Sequence, residues 1–271
     1  MSHQSRRHIV EMLDRHGLLP RKAYGQHFLA DPNLIDKVVA LAGVRPGDSI
    51  LEVGAGTGAL TAALAARGAT VVAYEIDERM RPILAETLEG LAVDLRFADI
   101  MDVDLGAQLG GGEWKLVANL PYNVGTPLLL DILLEVPAVN MAVVMVQKEV
   151  ADRLAAQPGS ADYGLPSVVV GLTATVGERF PVPPQVFVPA PQVASAVVRL
   201  DRVPAPDRLE EAVALARTAF GQRRKMLRRS LADVVPKDAY AAAGIDPETR
   251  PERLRPADFI TLAGAVENAR G

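Results

Sequence analysis

Apolar and polar residues alternate along this chain with two different spacings. Short runs rich in β-branched residues are typical of buried strands, whereas longer runs with alanine and leucine on one face are typical of helices. The two kinds of run alternate from residue 49 to residue 200, which predicts a mainly parallel sheet with helices on both faces. The predicted strands are 49–54, 69–75, 93–98, 115–118, 141–146, 167–176 and 193–200, and the predicted helices are 32–42, 59–67, 78–88, 126–134 and 148–156.

The pattern changes after residue 200. A proline-containing segment at 201–206 is typical of a linker, and beyond it only helices are predicted, at 207–220, 223–232, 238–243 and 256–268. The sequence therefore predicts an α/β domain with an N-terminal arm over residues 1–203 and a small all-helical domain over residues 204–271. Ligands of open α/β sheets bind beyond the carboxyl ends of the strands, so functional residues are expected there.

Composition narrows the class of protein. With 49% hydrophobic residues in 271, the chain can bury a sizeable core, and the absence of cysteine excludes disulfides, a thiolate nucleophile and a zinc–thiolate site. The N-terminal residues lack the apolar core of a signal peptide, and no apolar run approaches the ~18 residues of a membrane span. We therefore expect a cytoplasmic monomer with no membrane partner. Three of the four histidines lie in the N-terminal arm, so we expect no metal site.

The distribution of charge is more informative than its sum. The net charge of −4 argues against a nucleic-acid partner, but the stretch from Arg217 to Arg229 contains only basic charges. A local basic surface is what phosphate binding requires. The stretch is therefore a predicted nucleic-acid-binding surface, with a plain solvated face as the alternative. The candidate residues are Arg223, Arg224, Lys225, Arg228 and Arg229.

Four residues after the fourth predicted strand indicate a chemistry: Asn119, Leu120, Pro121 and Tyr122. Proline provides no N–H and favours an extended Leu120, so the Leu120 carbonyl and the Asn119 side-chain oxygen are free acceptors. Two acceptors can take both hydrogens of an exocyclic amine on a flat base, which turns the nitrogen lone pair toward an electrophile. The Tyr122 ring offers a stacking surface. The alternative is a turn with a packed aromatic ring.

Other predicted strand ends carry residues suited to a bound nucleoside. Gly54, Gly56 and Gly58 follow the first strand, and their spacing fits an S-adenosylmethionine site, a dinucleotide site or a structural turn. Glu75 ends the second strand, where a carboxylate can accept from both ribose hydroxyls. Asp99 ends the third strand and can accept from an adenine amine. The alternatives are a solvated residue for Glu75 and a helix-capping or turn residue for Asp99.

All these residues would meet at one edge of one sheet. A nicotinamide-dependent dehydrogenase, a further alternative, has no use for residues 119–122, whereas an enzyme that methylates an amine requires the whole set. The segment 24–29 precedes the sheet and could fold over the cofactor, with Gln26 and His27 polar and the next two residues apolar. Ordinary N-terminal packing is the alternative for this segment.

The chain resembles the small-subunit ribosomal RNA adenine dimethyltransferases. The matching motifs run in the family's order over nearly the whole chain, at 25–29, 52–61, 75–77, 99, 119–122, 147–149, 187–195 and 220–225. The resemblance implies a Rossmann-like methyltransferase domain that uses S-adenosylmethionine, followed by a small all-helical domain. The implied reaction is dimethylation of two neighbouring adenosines near the 3′ end of small-subunit RNA, in a 30S-type pre-ribosomal particle and linked to ribosome assembly.

The resemblance also implies roles for individual residues. Asn119, Leu120 and Tyr122 would hold the target base, and Phe187 would cover its other face unless it is a core aromatic. The implied cofactor-binding residues are Gln26, His27, Leu29, Gly54, Gly56, Glu75, Asp99 and Asn119. The family often has asparagine at the position of His27, so either its backbone or its side chain could make the contact.

Two further alternatives fit the motifs. A methyltransferase acting on large-subunit RNA would share the core residues, although the basic helical segment and the Phe187 loop favour the small subunit. The second alternative is a ribosome-assembly factor that keeps the fold without the chemistry. Intact residues 119–122 and Glu75 argue against that loss of activity.

Overall fold

Two compact units make up the chain. The computed structural model describes residues 4–270, so the outer ends of the two predicted domains, residues 1–3 and 271, lie outside the described residues. The first unit contains the residues up to 151 and Gly177–Asp201, and the second contains Asp152–Val176 and the residues from 202 onward. The segment 152–176, which the sequence assigned to the sheet domain, therefore groups with the C-terminal helices.

Helices and strands alternate through the first unit, and helices dominate the second. The α-helices are α1 (Arg6–Arg15), α2 (Pro32–Leu41), α3 (Ala59–Ala65), α4 (Arg81–Thr87), α5 (Leu105–Leu109), α6 (Gly125–Glu135), α7 (Lys148–Leu154), α8 (Leu165–Thr173), α9 (Leu209–Gly221), α10 (Leu227–Ser230), α11 (Lys237–Ala242) and α12 (Pro256–Arg270). The strands are β1 (Phe28–Leu29), β2 (Ser49–Val53), β3 (Thr70–Glu75), β4 (Val93–Phe97), β5 (Trp114–Asn119), β6 (Val139–Gln147), β7 (Ala174–Val182), β8 (Phe187–Val188) and β9 (Ser195–Arg202). Among residues 4–270, no helix has the length and apolar character that crossing a bilayer requires.

Seven strands form the main sheet in the order β4-β3-β2-β5-β6-β9-β7. The strands from β4 to β6 in this order are parallel, and β9 is antiparallel to β6. The direction of the strand order reverses between β2 and β5. Such a reversal leaves a crevice at the carboxyl ends of the strands, where ligands of this fold bind. The predicted α/β sheet is thus confirmed.

The central strands are buried on both faces, which explains their continuous apolar sequences. Each fully buried aliphatic side chain contributes about 1.5–3 kcal/mol. Helix α2 begins where the Asp31 carboxylate accepts the N–H groups of Asn33 and Leu34, at 2.9 and 3.2 Å. Residues of the central strands with no exposed surface are Ile50, Leu51, Val71, Leu116 and Val117.

The prediction of a strand at 167–176 is wrong. The β-branched run forms most of helix α8, and only its last residues enter β7. The helix has an ordinary start, because the Gly164 N–H donates to Ser167 Oγ at 3.1 Å and Pro166 lies in the first turn. Residues 168–170 are at most 1% exposed. Burial therefore outweighs the preference of β-branched residues for strands.

Helix α8 approaches α12 closely at Gly171. A Cβ atom there would lie 2.6 Å from Cγ of Pro256, whose ring cannot swing away. We expect Gly171→Ala to lower the free energy of unfolding by about 1–3 kcal/mol, as overpacking typically does. Urea denaturation measures this loss. Gly221→Ala is the matched control, because, apart from its chain neighbours and its own helix backbone, no atom of residues 4–270 lies within 4 Å of a Cβ there. An equal loss in both variants would contradict the close approach.

Aromatic rings pack together inside the second unit. The Phe220 ring lies 5.9 Å from that of Tyr163 and 6.3 Å from that of Phe259, measured between centroids. The Tyr163 hydroxyl donates to the Leu254 carbonyl at 2.8 Å, so its polar end is satisfied inside the core. These contacts tie α9 to α12. The helices predicted at 207–220, 238–243 and 256–268 are confirmed as α9, α11 and α12.

The helix predicted at 223–232 is shorter in the structure, where only α10 forms within it. The N–H groups of Leu227 and Arg228 donate to the carbonyls of Thr249 and Pro247, at 2.8 and 2.9 Å. Those N–H groups are consequently not available to bond within a longer helix. The basic residues before Leu227 lie on a turn rather than on a helical face.

Candidate active site

A cleft of about 1050 Å³, partly continuous with solvent, opens at the carboxyl ends of β2, β3, β4 and β5. Its position is the crevice expected from the reversal in strand order. All but one of the residues predicted to bind the cofactor or the base line this cleft. They are Gln26, His27, Leu29, Gly54, Gly56, Glu75, Asp99, Asn119, Leu120 and Tyr122.

The loop between β2 and α3 lines the cleft with bare backbone. Gly54, Gly56 and Gly58 have φ angles of +82°, +56° and +79°, which other residues rarely adopt. The Gly54 N–H donates to the Tyr74 carbonyl at 2.8 Å, which fixes the start of the loop. A Cβ at Gly56 would lie 3.1 Å from the Phe28 ring. Glycine is therefore required here for both the backbone angles and the space.

Glu75 holds its carboxylate at the end of β3 by two backbone hydrogen bonds. Its Oε2 accepts from the Gly56 N–H at 2.8 Å, and its Oε1 accepts from the Asp77 N–H at 2.9 Å. Burial raises the pKa of Glu75, and these two N–H bonds partly oppose the rise. Each carboxylate oxygen keeps acceptor capacity for another donor, such as a ribose hydroxyl.

The end of β5 leaves two acceptors unused. Asn119 Nδ2 donates to the His27 carbonyl at 3.1 Å, which orients the amide so that Oδ1 is its free end. The Leu120 N–H donates to the Met145 carbonyl at 3.1 Å within the sheet, while the Leu120 carbonyl accepts no hydrogen bond from residues 4–270. The next carbonyl, that of Pro121, accepts from the first turn of α6. Two oxygens on successive residues that line the cleft thus accept no hydrogen bond from residues 4–270.

The Tyr122 side chain is held at both its ring and its hydroxyl. The hydroxyl is hydrogen-bonded to Oγ of the buried Ser195. The His27 ring stacks on Tyr122, with centroids 5.5 Å apart and planes at 29°, and its Nδ1 lies 2.8 Å from the Pro189 carbonyl. Burial raises the pKa of Tyr122 despite the Ser195 bond, so the phenol stays neutral. Both the backbone and the ring of His27 therefore take part in the site.

The N-terminal segment forms a packed wall of the cleft. Gln26 Oε1 accepts from the Arg21 N–H at 2.7 Å, and Gln26 Nε2 donates to Asp77 Oδ2 at 3.0 Å. Phe28 and Leu29 are buried and form β1, which pairs antiparallel with β8. Gln26 therefore braces the wall through its amide, and direct contact between Gln26 and the cofactor stays a prediction.

The structure places Phe187 in the core, contrary to the predicted stacking role. Phe187 lies in β8 opposite Leu29, and none of its surface is exposed. Its ring consequently has no face to offer a base, which matches the alternative of a core aromatic. The ring that accompanies Tyr122 in the cleft is that of His27.

The rim of the cleft beyond β4 combines a carboxylate with apolar side chains. Asp99 Oδ1 accepts from the Met101 N–H at 3.0 Å, so Asp99 both caps a turn and lines the cleft. Ile76 and Ile100 directly follow the two strand-end acids and also line the cleft. The prediction from sequence missed both. In the sequence, each isoleucine directly follows one of the two acids. An apolar side chain next to a carboxylate suits the binding of a flat ring that carries a polar edge.

Glu52 is a buried acid in the wall of the cleft to which the sequence assigned no role. Burial raises the pKa of Glu52 to about 8, the Thr61 hydroxyl opposes this rise, and the charge of Glu75 adds to it. Neither Glu52 Oε2 nor Thr61 Oγ1 makes a hydrogen bond of normal geometry with any part of the chain that the structure describes. A pKa raised this far favours the protonated form of Glu52 at neutral pH.

The candidate RNA-binding residues of the second unit differ in whether their side chains already have partners within the protein. Arg223 Nη2 donates to the Ala161 carbonyl at 2.7 Å, and Arg228 forms an ion pair with Glu248 at 3.3 Å. The remaining three candidates are exposed, and their side chains make no hydrogen bond or ion pair with residues 4–270, so their charges are available to a phosphate. These three residues are Arg224, Lys225 and Arg229.

Curated proteins with known names are similar to this chain over nearly its whole length. A ribosomal RNA small subunit methyltransferase A of Phenylobacterium zucineum is 45% identical, covering 95% of this chain and 92% of that protein. The protein of the same name from Pelotomaculum thermopropionicum is 44% identical and covers 97% of both chains.

Solved structures show the same likeness. A dimethyladenosine transferase from Plasmodium falciparum has a TM-score of 0.74 at 26% identity, covering 87% of this chain and 96% of that one. The 23S rRNA methyltransferase ErmE has a TM-score of 0.65 at 28% identity, covering 89% and 99%. Residues 18–267 match the sequence profile of the ribosomal RNA adenine dimethylases. The chain belongs to that family.

Proposed function

We propose that this protein transfers methyl groups from S-adenosylmethionine to the exocyclic amines of two adjacent adenosines near the 3′ end of small-subunit ribosomal RNA. The observation that carries the proposal is the pair of unused acceptors in the cleft, Asn119 Oδ1 and the Leu120 carbonyl. They match the two hydrogens of an adenine amine. The names of the curated relatives support the small subunit as the source of the RNA.

The cleft fits S-adenosylmethionine, the methyl donor of this family. Gly54 and Gly56 leave room for a ligand against the backbone, where a side chain would fill the space. We assign the ribose hydroxyls to Glu75 and the adenine amine of the cofactor to Asp99, with Ile76 against the ring. When bound, the cofactor supplies an electrophilic methyl group on a positively charged sulfur.

The chain's own residues orient the target amine rather than exchange protons with it. Asn119 and Leu120 accept its two hydrogens, which directs the nitrogen lone pair out of the ring plane, while Tyr122 stacks on the base. Stacking requires a base that is extruded or single-stranded. Catalysis is then mainly orientation and electrostatic stabilisation. Once methylated, the nitrogen is acidic enough to release its proton without a dedicated base.

The second methyl transfer uses the same two oxygens. After the first transfer the amine keeps one hydrogen, so one oxygen holds the amine and the other makes no hydrogen bond to it. The space beside that second oxygen must then accommodate the first methyl group. The pocket therefore supports two successive transfers only if the base can rotate or shift between them.

The wider setting of the reaction follows from the family and from the basic surface. We assign RNA binding to the second unit, with Arg224, Lys225 and Arg229 on phosphates, within a 30S-type pre-ribosomal particle. The protein would act there as a cytoplasmic monomer, and its binding would be linked to assembly of the particle. The rRNA substrate is supported by the relatives' names, and the free cations of the second unit support the binding surface.

Mass spectrometry of adenosines tests the proposed reaction. Unmodified small-subunit particles incubated with the protein and S-adenosylmethionine should acquire dimethyladenosine at two adjacent positions near the 3′ end. Large-subunit particles are treated in parallel, because the likeness to ErmE favours that alternative. Methylation of large-subunit RNA alone would change the substrate, and no methylation of either particle would favour a non-catalytic assembly factor. Thermal stabilisation by NAD but not by S-adenosylhomocysteine would instead indicate a dehydrogenase.

Replacing Arg224, Lys225 and Arg229 together with alanine should weaken RNA binding and reduce its salt dependence. Three lost phosphate contacts should lower the slope of log affinity against log salt by about 2. Filter binding to small-subunit RNA at several salt concentrations measures the slope. A control triple variant removes arginines that already have acidic partners, namely Arg7, Arg67 and Arg255. An unchanged slope in the first variant would mean that the three residues form only a solvated face.

A further inference from the structure

Helix α1 precedes the region that matches the family profile, which begins at residue 18. Its apolar side, Ile9, Met12 and Leu13, is buried in the core of the first unit. Two polar side chains at its N-terminal end point to a more specific role. One reaches the glycine loop that lines the cleft, and the other reaches the chain segment that leads to the partners of His27 and Tyr122.

Gln4 contacts the glycine loop directly. It is 5% exposed, and its Nε2 donates to the Thr57 carbonyl at 2.9 Å and lies 3.2 Å from Thr87 Oγ1. Thr57 follows Gly56, whose N–H fixes the Glu75 carboxylate. A loop with three glycines has little conformational preference of its own. The hydrogen bond donated by Gln4 therefore helps to determine the conformation of the loop.

Arg6 contacts the start of β8 and the turn before it. Its Nη2 donates to the carbonyls of Gln185 and Phe187, both at 2.7 Å. This segment continues to Pro189, whose carbonyl is bonded to the His27 ring, and then to Ser195, which holds the Tyr122 hydroxyl. Arg6 therefore holds the near end of the chain segment that supports the aromatic pair.

We propose that Gln4 and Arg6 are positioning residues for methyl transfer. Gln4 holds the cofactor loop in its binding shape, and Arg6 holds the segment 185–195 that places the ring of Tyr122. This inference rests on the proposed function, since it takes the glycine loop as the cofactor site and Tyr122 as the base-stacking ring. Gln4 acts through the cofactor loop and Arg6 through the segment that places the base-stacking ring, so the two variants should affect different kinetic parameters.

Gln4 is tested through cofactor affinity. Gln4→Ala should raise the Kd for S-adenosylhomocysteine, measured by calorimetry, about tenfold while the KM for small-subunit RNA stays the same. Gln4→Met keeps the length of the side chain without its donor and should show the same loss. If either variant lowers the melting temperature but binds with wild-type Kd, the residue only packs and the proposal is wrong for Gln4.

Arg6 is tested through turnover. Arg6→Ala should lower kcat with RNA about tenfold at an unchanged Kd for S-adenosylhomocysteine, and Arg6→Lys, which can still bond one carbonyl, should restore part of the loss. Arg7→Ala is the matched control on the same helix, because Arg7 is exposed and, among residues 4–270, its side chain is paired only with Glu11. Wild-type kcat in Arg6→Ala, or an equal loss in Arg7→Ala, would overturn the role of Arg6.

The same measurements separate this inference from the proposed function. If the wild-type protein does not bind S-adenosylhomocysteine, the proposed cofactor site itself is wrong. If the wild-type protein binds the cofactor and methylates RNA but the Gln4 and Arg6 variants match it, only the positioning role fails.

Discussion

Asn119→Ala is expected to reduce methyl transfer about 100- to 1000-fold, the typical cost of removing one preorganised polar group from a reaction centre. The variant loses the side-chain oxygen that would accept one hydrogen of the target amine. The Leu120 carbonyl alone cannot hold the lone pair in line with the methyl donor. Transfer of labelled methyl groups to small-subunit RNA measures the loss under single-turnover conditions.

The fold should survive this substitution. Among residues 4–270, the Asn119 side chain makes one hydrogen bond, to the His27 carbonyl, and the sheet pairing of β5 uses only backbone groups. Asn123→Ala is the matched control, because Asn123 lies in the same loop and also donates to a backbone carbonyl, that of Ala23 at 3.4 Å. We expect near wild-type activity in the control. A fully active Asn119→Ala variant would remove Asn119 from the mechanism.

Glu52→Gln is expected to stabilise the protein increasingly as the pH rises from 5 to 8. The pKa of Glu52 is raised to about 8 in the folded state from an ordinary value of 4.5. Below pH 4.5 the group is protonated in both states and has no pH-dependent effect. Above it the unfolded chain releases a proton that the folded chain retains, so the free energy of unfolding falls by about 1.4 kcal/mol per pH unit.

The total loss approaches roughly 5 kcal/mol near pH 8 and then levels off, because the folded group also ionises. Glutamine has no proton to lose and should escape this penalty. Urea denaturation of both proteins at pH 5, 6.5 and 8 measures the difference. Glu113→Gln, at an exposed position before β5, is the control and should show no such trend. A constant difference between Glu52→Gln and wild type across this range would mean that Glu52 is ionised in the folded protein.

Much of the site could be predicted because it depends on local sequence and a simple topology. Parallel strands place their carboxyl ends at one edge, so the residues after β2, β3, β4 and β5 had to meet. The free Leu120 carbonyl follows from the proline after it, and the glycine loop from its spacing. Glu75 and Asp99 line the cleft for the same topological reason.

The errors arise where contacts between distant segments decide the outcome. The run at 167–176 has strand propensity, but its burial among the helices of the second unit makes it helical. Phe187 lies in a loop-like, proline-rich sequence, and only its pairing with Leu29 shows that it is buried. The hydrogen bonds of Gln4 and the burial of Glu52 likewise depend on residues far along the chain. The local sequence pattern does not predict contacts between residues that are far apart along the chain.

The pairing of β1 with β8 has a consequence for the time at which the protein becomes active during its own synthesis. Strands β2 to β6 all precede residue 148 and can pair while the rest of the chain is still being translated. The partner of β1, and the residues that anchor His27 and Tyr122, leave the ribosome only later. A nascent chain can therefore possess most of its sheet and both rings and still lack the residues that hold His27 and Tyr122 in place. Activity therefore has to wait until translation has produced β8 and the residues that follow it.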